Sequence, residues 1–307
     1  MLIGRETWGV YAIAATPFAE DGALDLESVD RLIGFYEGCG VHGLTILGVM
    51  GEAPKLAPEE ARAFADQVLA RAAIPVVVGV SAGGIDNLAR LASHVMAKGA
   101  AGVMVAPPAG LGTEEAVLGY FRQVCAALGP ETPVCLQDYP QLTGVRMSVA
   151  TILRLARELP QIAMLKHEDW PGLTKLQRVR AEADAADAPR LSILCGNGGL
   201  FLPQEMARGA DGAMTGYAYP EMLVEVVKRM RLGEADAAED LFDAHLPLIR
   251  HEVQPGLGLA LRKEILRRRG ALASARLRAP GPTLTMDDRA ELDRLISRME
   301  RRTTALS

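Results

Sequence analysis

The chain has 307 residues, 49% of them hydrophobic and 23% charged, a composition that supports a soluble globular protein with a large buried core. Its net charge of −5 argues against a nucleic-acid partner, which needs a basic face. No apolar run is long enough to span a membrane and the N-terminus has no signal-peptide pattern, so no membrane partner and a cytoplasmic location are expected.

Taken in order, the elements alternate. Gly9–Phe18 reads as a first strand ended by Thr16-Pro17, and Asp25–Glu37 as a helix with apolar spacing at Leu26, Val29, Leu32, Ile33 and Tyr36. Gly43–Leu47 is a second strand, followed by the loop Gly48-Val49-Met50-Gly51-Glu52 and a helix opened by Ala57-Pro58-Glu59-Glu60. Then come strand Ile74–Val80 and helix Asn87–Lys98, and strand Gly102–Ala106 and helix Thr113–Leu128, with Thr113 as its cap. Pro133–Tyr139 and Ser148–Glu158 form the fifth pair, and Ile162–Lys166 and Leu173–Ala183 the sixth. Leu191–Cys195 with Phe201–Arg208, and Gly212–Thr215 with Pro220–Met230, complete the series.

Eight strand–helix units within about 220 residues match the scale of a (β/α)8 TIM barrel. An open doubly wound sheet is the alternative, but no dinucleotide fingerprint follows the first strand. The division expected is a barrel over residues 1–231 and a helical subdomain over 232–307, with helical periodicity at Leu241–Ile249, Leu257–Leu266 and Met286–Met299. The arginine-rich run Leu261–Arg269 reads as a solvated helix face. Cys39, Cys125, Cys135 and Cys195 are widely spaced and read as buried free thiols, with no metal site.

The chemistry centres on Ile162–Lys166, an apolar run between Pro160 and Pro171 that ends in a lysine. A buried amine is pushed toward its neutral form, which can attack a carbonyl; the bland alternative is a lysine that reaches out to solvent. In a barrel the C-terminal strand ends carry the active site, which selects Thr16, Gly48–Glu52, Ser81, Ala106–Pro107, Gln137–Tyr139, Lys166–His167, Gly196–Asn197 and Thr215–Tyr217. Gly48 and Gly51 would let backbone N–H groups approach a carboxylate. Strand alternation sends Asp138 and His167 outward and leaves Tyr139 and Tyr217 as the better proton donors. Asn197 suits binding a hydroxyl or carboxylate.

At these residues the chain resembles the dihydrodipicolinate synthase / N-acetylneuraminate lyase family of class I aldolases, as a divergent member. The carriers are Thr16-Pro17-Phe18, Gly48-x-x-Gly51-Glu52-Ala53-Pro54 with Leu56 and Glu59-Glu60, Pro140-x-x-Thr143-Gly144, Lys166, Gly209-Ala210-Asp211-Gly212 and Arg276-Leu277-Arg278-Ala279-Pro280. The resemblance implies a TIM barrel, a Schiff base between Lys166 and pyruvate or another 2-oxo acid, no cofactor, and a homo-oligomer, dimer or tetramer. It also exposes departures. Val49 and Met50 stand where the family carries two hydroxyl residues that hold the carboxylate. Gln137 stands where it carries a catalytic tyrosine, and an amide cannot relay a proton. Leu142 takes the place of an aldehyde-binding arginine, and Pro108-Ala109 that of a tyrosine lent across a dimer interface.

The reading is therefore a lyase that forms an imine at Lys166, with aldol chemistry or dehydration, and not a true dihydrodipicolinate synthase. Lys166, Gln137 and Tyr139 are the catalytic candidates, with Gln137 orienting substrate. Thr16, Gly48, Val49, Met50, Gly51, Asn197, Thr215 and Tyr217 are the substrate-binding ones. The alternative is a non-catalytic binding or regulatory protein for 2-oxo acids or sugar acids on the same fold.

Overall fold

The eight apolar runs become β1 (Gly9–Ile13), β2 (Gly43–Ile46), β3 (Val76–Gly79), β4 (Gly102–Val105), β5 (Val134–Asp138), β6 (Ile162–His167), β7 (Ser192–Cys195) and β8 (Gly212–Ala213). The computed structural model describes every residue except Pro171, Ala186, Asp187 and Ser307, so Pro171, expected to bound the lysine strand, lies outside the described residues. All eight strands are parallel and in sequence order, and β1 pairs with β8 to close the ring. The open-sheet alternative is thereby excluded.

The helices are α1 (Val29–Gly38), α2 (Pro58–Arg71), α3 (Ile85–Ala97), α4 (Glu114–Leu128), a single turn α5 (Pro140–Thr143), α6 (Val149–Glu158), α7 (Leu173–Ala185), α8 (Leu202–Ala207) and α9 (Pro220–Leu232). Three more follow: α10 (Ala235–Glu252), α11 (Gly258–Arg268) and α12 (Met286–Thr304). Their starts obey local chemistry. The Thr113 and Ser148 hydroxyls accept from the amides of Ala116 and Thr151, and Pro58 opens α2, where its missing N–H costs nothing.

Strand alternation separates two cores. Val10, Ala12, Leu44, Ile46, Leu136 and Leu165 pack outward against the helices. Tyr11, Ile13, Val77, Met104, Cys135, Met164, Leu194 and Met214 fill the barrel interior. Every strand but β6 is shorter than expected, and β1 and β8 are cut to half. Beyond Ile13 the chain still bonds sideways, Ala14 N–H to Thr45 O, but Pro17 has no N–H with which to continue the ladder. Met214 and Thr215 lie past β8 yet keep bonds to Cys195 O and from the Ile13 amide.

The arginine run corrects an expectation. Arg262, Lys263 and Glu264 are buried, and only the later arginines reach solvent. Helix α11 is therefore docked by charged side chains as well as by Leu261, Ile265 and Leu266. All four cysteines are free, and Cys39 is only partly covered. No helix among the described residues is long and apolar enough to cross a membrane.

Candidate active site

Lys166 and Gln137 are register partners on β6 and β5 and share the inward parity of Met164 and Cys135. Lys166 is 4% exposed. It does not escape to water: its Nζ lies 3.1 Å from Glu168 Oε2, which also accepts the Gln137 amide at 2.7 Å. The strand pairing runs past its nominal end, because the Glu168 amide donates to Asp138 O (2.9 Å), so Lys166 and Glu168, two residues apart, face the same way. Sequence reasoning stopped the strand at Lys166 and missed Glu168, although the period of two was the signal. Asp138 and His167 point outward as expected. Asp138 takes an ion pair from Lys175 at 2.6 Å, and His167 bonds Gly172 O.

Above the lysine is a cavity of about 570 Å³. The barrel side supplies Ile13, Val49, Met50, Tyr139, Lys166, Glu168, Asn197, Thr215 and Gly216. The turn between α10 and α11 supplies Gln254, and α11 itself supplies Leu259 and Arg262. Tyr139 and Thr215 present hydroxyls that bond to none of the described residues. Burial, followed by the nearby Glu168 charge, raises the Tyr139 pKa, so the phenol is held as a neutral donor. Asn197, at a left-handed φ of 51°, donates to Glu168 O (3.1 Å). Gln141, with its amide nitrogen facing the acceptors, donates to the same carbonyl (3.0 Å). Gly196 is required here because a Cβ would strike the Glu168 side chain, with Cδ 2.5 Å away.

The loop after β2 is a tight turn entered and left through left-handed residues, Leu47 (φ 55°) and Glu52 (φ 51°). The Gly51 amide donates to Gly48 O (3.0 Å), and the Glu52 amide to Val49 O (3.1 Å). The Val49 and Met50 amides bond to no described residue. A carboxylate anchored here would thus meet Val49 and Met50, while Gly48 and Gly51 shape the turn and do not line the cavity.

Other sequence expectations need correction. Thr16 is fully buried and its hydroxyl donates to Gly51 O (2.6 Å), so it braces the loop and does not face substrate. Gln137 lies beneath the cavity, holding Glu168 where it was expected to orient substrate. Tyr217 is 2% exposed in the outer core, its hydroxyl bonded to His245 Nδ1 at 2.8 Å. Burial holds His245 down to about 4, so the imidazole is the acceptor and Tyr217 the donor. Tyr217 does not line the cavity.

Sequence reasoning also missed the contribution of the C-terminal helices. Glu52 is buried and accepts from Lys263 Nζ (2.9 Å), Lys55 Nζ (2.9 Å) and the Arg278 amide (3.1 Å). This fastens α11 and the Arg276–Pro280 segment to the Gly48–Glu52 loop. One residue before Lys263, Arg262 enters the cavity paired with Glu252 (2.8 Å). No group of three or more metal-ligating side chains occurs among the described residues.

Residues 6–299 match the model of the dihydrodipicolinate synthetase family. The L-2-keto-3-deoxyarabonate dehydratase of Azospirillum brasilense is 31% identical over 299 residues, covering 95% of this chain and 94% of that protein. A crystal structure of dihydrodipicolinate synthase from Rhodopseudomonas palustris superposes with a TM-score of 0.95 at 50% identity, covering 97% of this chain and 99% of the other. YagE, a prophage protein of the same family from E. coli K12 solved in complex with pyruvate, gives a TM-score of 0.87 at 26% identity over 95% and 98% of the two chains.

Proposed function

The chain belongs to the dihydrodipicolinate synthetase family of Schiff-base lyases, and from that premise we propose that Lys166 forms an imine with a 2-oxo acid. The observation that carries this reading is the buried Lys166–Glu168 pair at the floor of the cavity. Glu168 accepts the ammonium proton, and the freed Lys166 nitrogen attacks the C2 carbonyl. The carbinolamine then loses water to give the iminium, which acts as an electron sink. Gln137 keeps Glu168 aimed at the amine during these transfers.

With the iminium in place, Glu168, ionised again once its proton has left with the carbinolamine's water, accepts a C3 proton and gives an enamine. If C4 bears a hydroxyl, the electron pair returns and expels it, with a proton supplied to the departing oxygen. Tyr139, a neutral phenol bordering the cavity, is the donor we assign. The favoured reaction is dehydration of a 3-deoxy-2-oxo sugar acid. Similarity to the Azospirillum dehydratase along 95% of the chain supports this, and so does the amide at Gln137, which leaves the tyrosine relay of the resemblance unfilled. Aldol cleavage needs the same imine but requires the C4 hydroxyl to lose its proton. Leu142, where an arginine would bind an aldehyde substrate, is exposed and outside the cavity, which supports a role other than dihydrodipicolinate synthesis.

The test is to incubate the protein with pyruvate and borohydride and locate the reduced adduct by mass spectrometry, then analyse products from a 3-deoxy-2-oxo pentonate. An adduct on Lys166 and a dehydrated product are expected. Adduct with only C3–C4 cleavage products would overturn dehydration, and no adduct would overturn the imine. We also propose a homo-oligomer and a separate helical unit over residues 232–307, to be tested by light scattering and limited proteolysis.

A further inference from the structure

We propose that Arg262, delivered from outside the barrel by α11, is the clamp for the C1 carboxylate of the 2-oxo acid. This assignment rests on the imine reading above and names the group that holds the substrate end next to the reacting carbon.

Three observations converge. First, the guanidinium is buried, and only its Nε is spent on an oxygen, Glu252 Oε2 at 2.8 Å. Its Nη1 rests against the thioether of Met50, a weak acceptor, and Nη2 has no partner among the described residues. The outer edge of a guanidinium is the part whose geometry matches a carboxylate. Nη2 keeps accessible surface and opens to the cavity that Arg262 lines, so a ligand oxygen can reach it.

Second, the position is set by a brace. Lys263, the next residue on α11, is fully buried against Glu52 at the end of the Gly48–Glu52 turn, so the helix cannot drift from the loop. Arg262 is thereby held over Met50, the residue that occupies one of the two places where the resemblance implies carboxylate-binding hydroxyls. Met50 in turn packs on the barrel-interior cluster that includes Met164, two residues before Lys166. Gly216 is bare on this side, and a Cβ there would lie 3.0 Å from Arg262 Nη1 and collide with Met50.

Third, the Val49 and Met50 amides are unspent in the same corner. Two backbone donors and a guanidinium edge supply what a carboxylate with four lone-pair sites accepts. Glu252 balances the arginine when the site is empty and keeps one buried oxygen, Oε1, without a partner. The site thus takes a planar monoanion next to the keto group.

The experiment titrates pyruvate in borohydride trapping and reads the half-saturating concentration on Lys166 by intact mass. Pyruvate has only the C1 carboxylate, so tail effects cannot enter. Arg262→Ala is expected to raise that concentration about tenfold to a hundredfold, with the same maximal labelling. Met50→Thr in that background should recover part of the loss. If Arg262→Ala does not fold, as judged by circular dichroism, the doubly neutral Arg262→Met/Glu252→Gln variant replaces it, with the same shift expected. Half-saturation unchanged in a folded variant, with wild type labelled, overturns the Arg262 assignment and leaves the imine standing. Weakening for 2-oxoglutarate but not pyruvate also overturns it, by assigning Arg262 to the substrate tail. Absence of wild-type labelling instead removes the imine on which the assignment rests.

Discussion

Two tyrosines that look alike in the sequence should give opposite signatures when each loses its hydroxyl. Tyr217→Phe removes a buried bond of 2.8 Å and leaves Nδ1 of the 4% exposed His245 without its hydroxyl donor. The cost is the hydrogen bond plus the desolvated nitrogen, about 1–3 kcal/mol of unfolding free energy. Because Tyr217 does not border the cavity, kcat should stay within about threefold. Tyr139→Phe removes a hydroxyl that bonds to no described residue, so stability should move by less than about 0.5 kcal/mol. Its loss as proton donor should cut turnover by about 10²–10⁴-fold. Urea unfolding and steady-state kinetics on the 3-deoxy-2-oxo acid, run on both variants, read the crossover. A Tyr139→Phe enzyme with near-normal kcat would refute the donor assignment. A Tyr217→Phe enzyme that is stable but inactive would refute the placement of that ring outside the site.

Glu168→Gln should slow imine formation by about 10²–10⁴-fold, followed as the rate of borohydride-trappable adduct; an unchanged rate would move the proton acceptor elsewhere. For acid stability, burial and the nearby Arg269 hold His245 down to about 4, against the usual 6.5. The unfolded chain therefore takes up that proton first, and about 3 kcal/mol is lost as pH falls from 6.5 through 4. Burial, with the Glu168 charge adding, pushes Glu205 up to about 7 from 4.5, so the folded state holds a proton that the unfolded one gives up. Its contribution, also about 3 kcal/mol, is complete below 4.5 and lost as pH rises through 7. The two oppose each other between 4.5 and 6.5. Relative to wild type, His245→Asn should gain stability from pH 7 to 5 and Glu205→Gln should lose it, and parallel urea midpoints in all three proteins would contradict this. Glu52→Gln should cost about 3–5 kcal/mol, because Lys263, fully buried, would keep its charge without a counterion. A loss under about 1 kcal/mol in a denaturant titration would show that α11 is held by other contacts.

The sequence alone was enough to reveal the alternation of eight strands with helices. Each strand is covered on both faces, so it must be an apolar run, and each helix carries one apolar stripe; both patterns are local. It also marked Lys166, because a cation at the end of such a run stands out against its neighbours. The period of two pointed to Glu168, but whether the pairing persists that far depends on Asp138 lying alongside to accept its amide, which no local pattern contains.

Tertiary structure alone decided the rest of the site. Tyr139 and Tyr217 each follow a strand, and only packing against α10 assigns one to a histidine and leaves the other in the cavity. Arg262 belongs to a charged helix whose composition suits a solvated face, and it becomes a cavity residue because Lys263 and Glu52, 211 positions apart, neutralise each other in the interior. The physical division is one of range. Periodicity records which face of an element avoids water, whereas the partner of a buried charge is fixed by closure of the ring and docking of the last helices, and no window of sequence contains both ends of those contacts.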